Sequence, residues 1–466
     1  MKNLKLAYNT LEEVILSGVQ EFVVCPGARN VPWVQVLVND PMIKVWWGYE
    51  ERSSAFFALG RSRALQAPVA VLTTSGTAVG ELLPACMEAF YTSVPLVLMT
   101  ADRPRRYRHT GAPQTCVQPG IFGSYVETSF DLEALDTLSL KNWQARAPIH
   151  INVSFEDPEK RGFHTPALPK PMLKTRIWPK KPEGLYSFLD RADKLLVVIS
   201  TLRKTAQAPV ARFVESLGSD VYIEAVSGLR EQFSSVEPDL NHYTHVLRIG
   251  GIPTHRFWRD LESHPQIEVF SVTEDPFSGL PEGKFSHCNL ETLEPLGLPK
   301  AKVQSAKTPK KGLLTELSEK IAPKSHIYLG NSLPIRHWDL FATNLSKGFH
   351  ITASRGLNGI DGQLSTFFGL MEPGVENWAI LGDLTTLYDL SAPWFLRQIK
   401  DMKFTLVILN NGGGRIFEPM FPIPEMINAH DLSFEPFAKL WGLNYEKWDR
   451  IPGSLSFKES RVIEIV

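Results

Sequence analysis

The sequence predicts an α/β protein of three domains, each built on a parallel sheet. Short apolar runs separated by helical patterns recur along the whole chain, which is the signature of parallel sheets. Two stretches rich in Pro and Lys and without periodicity, KRGFHTPALPKPMLKTRIWPKKPEG and PKAKVQSAKTPKKG, divide those runs, as surface linkers do. The length of 466 residues also exceeds what one hydrophobic core usually serves. The predicted domains are residues 1–165, 185–300 and 311–466.

The N-terminal MKNLKLAYNTLEEVILSG reads as an amphipathic helix. Glu12 and Glu13 interrupt its apolar pattern and no small-residue cleavage site follows, so it is not a signal peptide. Strands are expected at EFVVCPG, KVWWGYE, VAVLTTSG, PLVLMTADRP and PIHINVSF, with helices from Arg52 to about Ala64 and through Glu81 to Phe90. The middle domain offers KLLVVIS, SDVYIEAV, THVLRIGG and QIEVFSV, and the third HIYLGNS, FHITASRG, NWAILGDL and FTLVILNN. The chain stops at RVIEIV, in mid-strand, which predicts a third domain cut short at its C-terminus.

Composition sets the broad class. Apolar residues make up 43%, charged residues 21%, and the formal net charge is −1, the profile of a globular protein with no nucleic-acid partner implied. Local clusters such as Arg103 to Arg108 still offer sites for small anions. The cysteines, Cys25, Cys86, Cys116 and Cys288, are far apart and lack metal-ligand spacing, which argues against a disulfide framework or a zinc site and fits a reducing cytoplasm. No apolar run approaches the ~20 residues that span a bilayer.

The strongest chemical signal lies in the third segment. Asp383 ends the strand WAILGD, and Asn410-Asn411 ends TLVILNN before Gly412, Gly413 and Gly414. Ligands of open parallel sheets sit at the carboxyl ends of strands. A carboxylate, a carboxamide and a backbone carbonyl are hard oxygen donors suited to Mg²⁺ bridging a diphosphate. Each motif alone is an ordinary turn; the pair, with a helical pattern between, is more specific. In the first segment Glu51 stands where a strand gives way to a helix, a position where a carboxylate normally serves the helix N-terminus. Beside a metal–diphosphate site it gains a second role, because thiamine diphosphate (ThDP) chemistry needs a carboxyl hydrogen-bonded to N1′ of the aminopyrimidine. Glu50 is its rival.

Here a resemblance becomes specific. CPGARNVP (25–32), YEERSSAFFALG (49–60), TTSGTA (73–78), TADRP (100–104), GAPQTCVQPG (111–120), PIHINVSF (148–155), GNSLPIR (330–336), SRGLNGIDG (354–362) and GDLTTLYDL (382–390) resemble, in order, the motifs of the 2-succinyl-5-enolpyruvyl-6-hydroxy-3-cyclohexene-1-carboxylate (SEPHCHC) synthase family of menaquinone biosynthesis. The resemblance implies pyrimidine-binding, central cofactor-free and diphosphate-binding domains. It also implies ThDP and Mg²⁺ (or Mn²⁺) as cofactors, and a homo-oligomer, dimer or tetramer, with active sites at subunit interfaces. The implied reaction decarboxylates 2-oxoglutarate and adds the succinyl-semialdehyde unit to isochorismate.

Position by position, the resemblance makes Glu51 the cofactor-activating glutamate, and Asp383, Asn411 and the Gly413 carbonyl the metal ligands. Gly382, Asp383, Leu384 and Thr385 belong to the cofactor-binding run. Ile360 matches the apolar prop of the bent cofactor, and Ile416 and Phe417 lie beside the reacting centre. Arg29, Arg103, Gln114, Ser332, Arg336 and Arg355 match substrate-site positions; both substrates are dianions, and Arg forks bind carboxylates bidentately. There are departures. Ala28 replaces the usual Ser, the region from Phe122 to Pro148 is short, and in GGIPTHRFW either Arg256 or His255 stands for the family's central-domain cation. Two other readings remain open: an acetohydroxyacid synthase-like ThDP carboligase or decarboxylase, and a catalytically silent ThDP-fold protein. A nicotinamide dehydrogenase is disfavoured because no strand is followed by GxGxxG.

Overall fold

Alternation of apolar strands with amphipathic helices leaves parallel pairing as the way to bury both faces of each sheet, and the computed structural model shows three such sheets. It describes residues 2–157, 166–172, 182–233, 235–296, 311–455 and 457–466. The first sheet holds β1 (Glu21–Val24), β2 (Lys44–Trp47), β3 (Val69–Thr73), β4 (Leu96–Asp102), β5 (Thr128–Glu133) and β6 (Ile149–Ser154), in the order β2-β1-β3-β4-β6-β5. The second holds β7 (Leu195–Ile199), β8 (Asp220–Ile223), β9 (His245–Ile249), β10 (Glu268–Thr273) and β11 (Lys284–His287), in the order β11-β10-β9-β7-β8. The third holds β12 (His326–Leu329), β13 (His350–Thr352), β14 (Asn377–Gly382), β15 (Phe404–Leu409), β16 (Asn444–Trp448) and β17 (Arg461–Ile465), in the order β13-β12-β14-β15-β17-β16.

Every pairing in these sheets is parallel. Counted within each domain, the first and third sheets share one strand order, with the chain reversing direction between their first and third strands. That reversal opens a crevice at the carboxyl ends. Sequence reading missed β5, β11 and β16. Each is an edge strand with only partial burial, so TSFDLE, KFSH and NYEKW carry no continuous apolar run. Most of both predicted linkers, with the boundaries at 165 and 300, lies outside the described residues.

The chain forms two densely packed units: Met1–Ile177 with Gly359–Glu372 and Thr385–Met402, and Trp178–Asn358 with Pro373–Leu384 and Lys403–Val466. In the first unit the N-terminal helix Lys2–Leu16 buries Leu4, Leu11, Val14 and Ile15 in a core with Trp33 and Phe155, whose rings meet edge to face at 5.0 Å. The helix Glu51–Leu65 lies against Gln363–Leu370 so closely that a Cβ on Gly60 would sit 2.3 Å from the Thr366 carbonyl. In the second unit the helix Leu333–Phe341 is tied to the central sheet. Asp339 accepts from the Ala225 N–H at 2.7 Å, and Arg230 donates to the Ala342 and Thr343 carbonyls at 2.8 and 2.9 Å.

Candidate active site

In the first unit, adjacent carboxylates after β2 divide their work. Glu50 is the N-cap of the helix Glu51–Leu65, accepting from the N–H groups of Arg52 at 3.1 Å and Ser53 at 3.0 Å. This satisfies donors that a helix start leaves open. Ser391 Oγ donates to the same carboxylate at 2.8 Å. Glu51 is thereby relieved of capping and turns to a cavity of 640 Å³, lined also by Glu50, Thr74, Ser75, Gln114 and Tyr388. Burial pushes the Glu51 carboxyl above the usual range, and the negative charges of Glu50 and Glu81 add to the rise against its own backbone N–H.

Two buried polar groups that sequence reading passed over, Gln118 and Asp389, hold segments that line this cavity. Gly76, at φ +90°, turns the chain after β3, and its N–H donates to Gln118 Oε1 at 3.0 Å. Gln118 Nε2 is anchored on the Ala101 carbonyl and Asn152 Oδ1. Asp389 accepts from the Ser365 N–H and hydroxyl at 2.7 and 2.8 Å, and Ser365 Oγ lies 2.7 Å from Oγ of Ser53, the second residue after Glu51. Burial pushes Asp389 up to about 6. Both residues stand inside quoted motifs, but only the fold shows what they touch.

The cluster Arg103 to Arg108 does not act as one cationic patch. Arg105 and Arg108 pair with Asp131, Arg108 also with Asp102, and Arg106 with Glu156. Arg103 donates instead to the Pro113 carbonyl, beside Gln114. Arg29 is buried and donates to the Phe155 carbonyl at 3.0 Å and to Asp157 at 3.1 Å. Ile360 is half-buried in this unit, and Thr385 is buried.

In the second unit Asp383, 3% exposed, follows β14 and accepts from the Leu384 N–H at 2.7 Å and the Gly413 N–H at 2.9 Å. Gly413 adopts φ +138°, and a Cβ there would lie 2.5 Å from the Ile427 carbonyl, so glycine is required. Asp383, Asn411 and the Gly413 carbonyl thus belong to one loop pair at the ends of β14 and β15, beside Gly382 and Leu384. These are hard oxygen donors that fit a divalent cation holding a diphosphate. His430 Nε2 stands 3.3 Å from Asp383 Oδ2. Glu464 of β17 accepts from Asn410 Nδ2, the Phe434 N–H and Tyr445 Oη, and so pins the loop that carries Asn411. No local sequence signal marks His430 or Glu464.

The same unit gathers the other predicted cations near the ends of β9, β12 and β13. Ser332 takes φ +72° at the start of the helix Leu333–Phe341, and its carbonyl accepts from Arg336 at 2.7 Å. Burial lowers the Arg336 pKa, against the charges of Glu224 and Asp339. Arg355, 8% exposed, donates to Asn331 Oδ1 at 2.7 Å and to Thr254 Oγ1. Arg256 is exposed and pairs with Asp260; its Nη1 lies 3.5 Å from Met420 Sδ, next to the turn that bears Ile416 and Phe417. His255 faces Glu237 at 3.4 Å.

Residues 6–121, which carry Glu51 and the Gly76 turn, match the thiamine pyrophosphate enzyme, N-terminal TPP binding domain. With three parallel α/β sheets, fold and site define a ThDP-dependent enzyme. The chain is 40% identical to the SEPHCHC synthase of Bdellovibrio bacteriovorus, covering 100% of this chain and 96% of that one. It is 37% identical to the synthase of Akkermansia muciniphila (98% and 95% covered) and 30% identical to that of Rubrobacter xylanophilus (97% and 92%). The chain belongs to the SEPHCHC synthase family. Among the described residues no helix is long and apolar enough to cross a membrane.

Proposed function

We propose that this protein is a ThDP-dependent transferase of menaquinone biosynthesis, which decarboxylates 2-oxoglutarate and adds the succinyl-semialdehyde unit to isochorismate, giving SEPHCHC and CO₂. The observation that carries the reading is similarity to SEPHCHC synthases over the whole chain. Bound ThDP supplies the electron sink that decarboxylation of a 2-oxo acid requires. Glu51, its pKa raised by burial and freed from capping by Glu50, holds the proton shared with the aminopyrimidine N1′. Asp383, Asn411 and the Gly413 carbonyl hold Mg²⁺ or Mn²⁺, with Gly382, Leu384, Thr385 and Ile360 shaping the cofactor's seat.

Arg29, Arg103, Gln114, Ser332, Arg336 and Arg355 bind the dianions, with Ile416 and Phe417 packing beside the reacting carbon. The exposed guanidinium of Arg256, rather than His255, is the central-domain cation, supported by its place next to Met420. The pyrimidine-binding, central and diphosphate-binding domains are residues 1–165, 185–300 and 311–466. The enzyme acts in the cytoplasm as a dimer or tetramer with sites at subunit interfaces, an assembly that an active monomer in sedimentation at assay concentration would overturn. The direct test incubates purified protein with ThDP, Mg²⁺, 2-oxoglutarate and isochorismate and follows product by mass. SEPHCHC is expected; turnover of pyruvate in preference to 2-oxoglutarate would replace the reading by a generic carboligase.

A further inference from the structure

We infer that Thr254, fixed by the buried carboxylate of Glu224, is a positioning residue that sets the orientation of the Arg355 guanidinium; this rests on the reading of Arg355 as a substrate-binding cation. One side of the fork is held by the third sheet itself. Asn331, just after β12, accepts from Arg355 Nη1 at 2.7 Å and donates to the Ser354 carbonyl at 2.9 Å. The other side is held from the central sheet, by Thr254 Oγ1 in the turn after β9.

That turn is itself anchored. Glu224, at 0% exposure after β8, accepts from the N–H groups of Thr254 and His255 on one carboxylate oxygen and from Ser200 Oγ on the other at 2.6 Å. A buried carboxylate with such donors needs no arginine to satisfy it, and its negative charge one residue away still favours a buried cation. Arg355 therefore spends two of its donors on neutral oxygens, Asn331 Oδ1 and Thr254 Oγ1. Bonds to both sides of the fork fix its plane, and a planar donor set in a fixed orientation is what bidentate binding of a carboxylate uses. The central domain, which holds no cofactor in this family's reading, thus contributes a hydroxyl that aims a cation of the third domain.

The test compares Thr254→Val, which removes the hydroxyl at nearly constant shape, with Thr254→Ser, which keeps it, and with Arg355→Ala. KM for 2-oxoglutarate or for isochorismate should rise about tenfold in the valine variant, the scale of one hydrogen bond to a charged group, with a smaller change in kcat. The serine variant should return most of that loss. Thermal midpoint and affinity for ThDP with Mg²⁺, read by intrinsic fluorescence, should stay near wild type in both. If Arg355→Ala raises KM while Thr254→Val does not, or if serine fails to rescue, the inference is overturned and the reading of Arg355 survives. If Arg355→Ala leaves both KM values unchanged, that reading is what fails. Should the valine variant not fold, Thr254→Ala is compared with serine in the same way.

Discussion

Asp102 and Asp383 are both buried aspartates at the carboxyl ends of parallel strands, in sheets of one strand order, and they have opposite surroundings. Asp102 accepts from Arg108 Nη2 at 3.0 Å, Asn152 Nδ2 at 3.1 Å and the Arg103 N–H at 2.7 Å. Asp383 accepts from two backbone N–H groups, with His430 beside it. The first carboxylate has its positive charge supplied by Arg108; the second, in the proposed function, takes its cation from outside. After the second strand of each sheet the two domains differ in the sign of charge, the first placing Glu51 there and the third Arg355. One strand order therefore serves to present acid in one domain and base in the other, and the loops decide which end is chemically open.

The largest expected effect probes the first domain's open acid. Glu51→Gln should lower turnover by ~10²–10⁴-fold, the usual share of general acid–base catalysis, while affinity for ThDP and Mg²⁺ stays within a modest factor. Stability should barely change, because Glu50 rather than Glu51 caps the helix. Hydrogen–deuterium exchange at C2 of the bound cofactor is the measurement, and unchanged exchange would remove Glu51 from the reaction.

Next come paired substitutions of the two strand-end aspartates. Asp102→Asn breaks a buried charge pair and should cost about 3 kcal/mol in denaturant unfolding, leaving the Mg²⁺ requirement alone. Asp383→Asn should do the reverse, raising the Mg²⁺ concentration for half-maximal activity roughly tenfold or more with little loss of stability. If both substitutions moved both quantities alike, the contrast between a neutralised and an open aspartate would collapse.

How much of this could be read in the sequence follows from the same pair. TADRP and LGDL both announce an aspartate at a strand end, and the apolar runs placed β4 and β14 without help from the structure. Neither motif says who answers the charge. Arg108 is six residues from Asp102, but Asn152 comes from another strand, and His430 reaches Asp383 across a long loop. Edge strands such as β16 escaped because partial burial imposes no apolar pattern on them. The preference for Glu51 over Glu50 rests on a motif; that Glu50 is engaged by Arg52, Ser53 and Ser391 shows only in the fold.

A smaller effect tests the first sheet's buried network as pH falls. His150, enclosed between Thr100 and Ser129, is held at about 4 from an ordinary 6.5, chiefly by burial. Its folded pKa is depressed, so between 6.5 and 4 the unfolded chain binds the proton and the native state does not. Stability is therefore full above 6.5 and is lost as pH drops toward 4, by up to ~3 kcal/mol at 1.36 kcal/mol per unit. Denaturation curves of His150→Gln against wild type should show a shallower decline over that window; parallel curves would assign the loss to other groups.

The smallest expected effect concerns the neighbour of the Glu51 carboxyl. Glu50 raises the Glu51 pKa through like charge, as a secondary cause after burial. Glu50→Gln removes that charge but keeps a side-chain oxygen able to accept from the Arg52 or Ser53 N–H, so the cap is weakened rather than lost. The Glu51 carboxyl should then ionise at lower pH, moving the acid limb of the kcat profile downward, while stability falls by no more than ~1 kcal/mol. The direction is set by the sign of the removed charge, since a carboxyl beside one anion fewer gives up its proton more readily. Glu50→Ala supplies the contrast, removing charge and cap together, and should shift the profile the same way at a larger cost in stability. An acid limb that stayed in place in both variants would mean that burial alone governs Glu51, and the division of labour between the two adjacent carboxylates would reduce to capping.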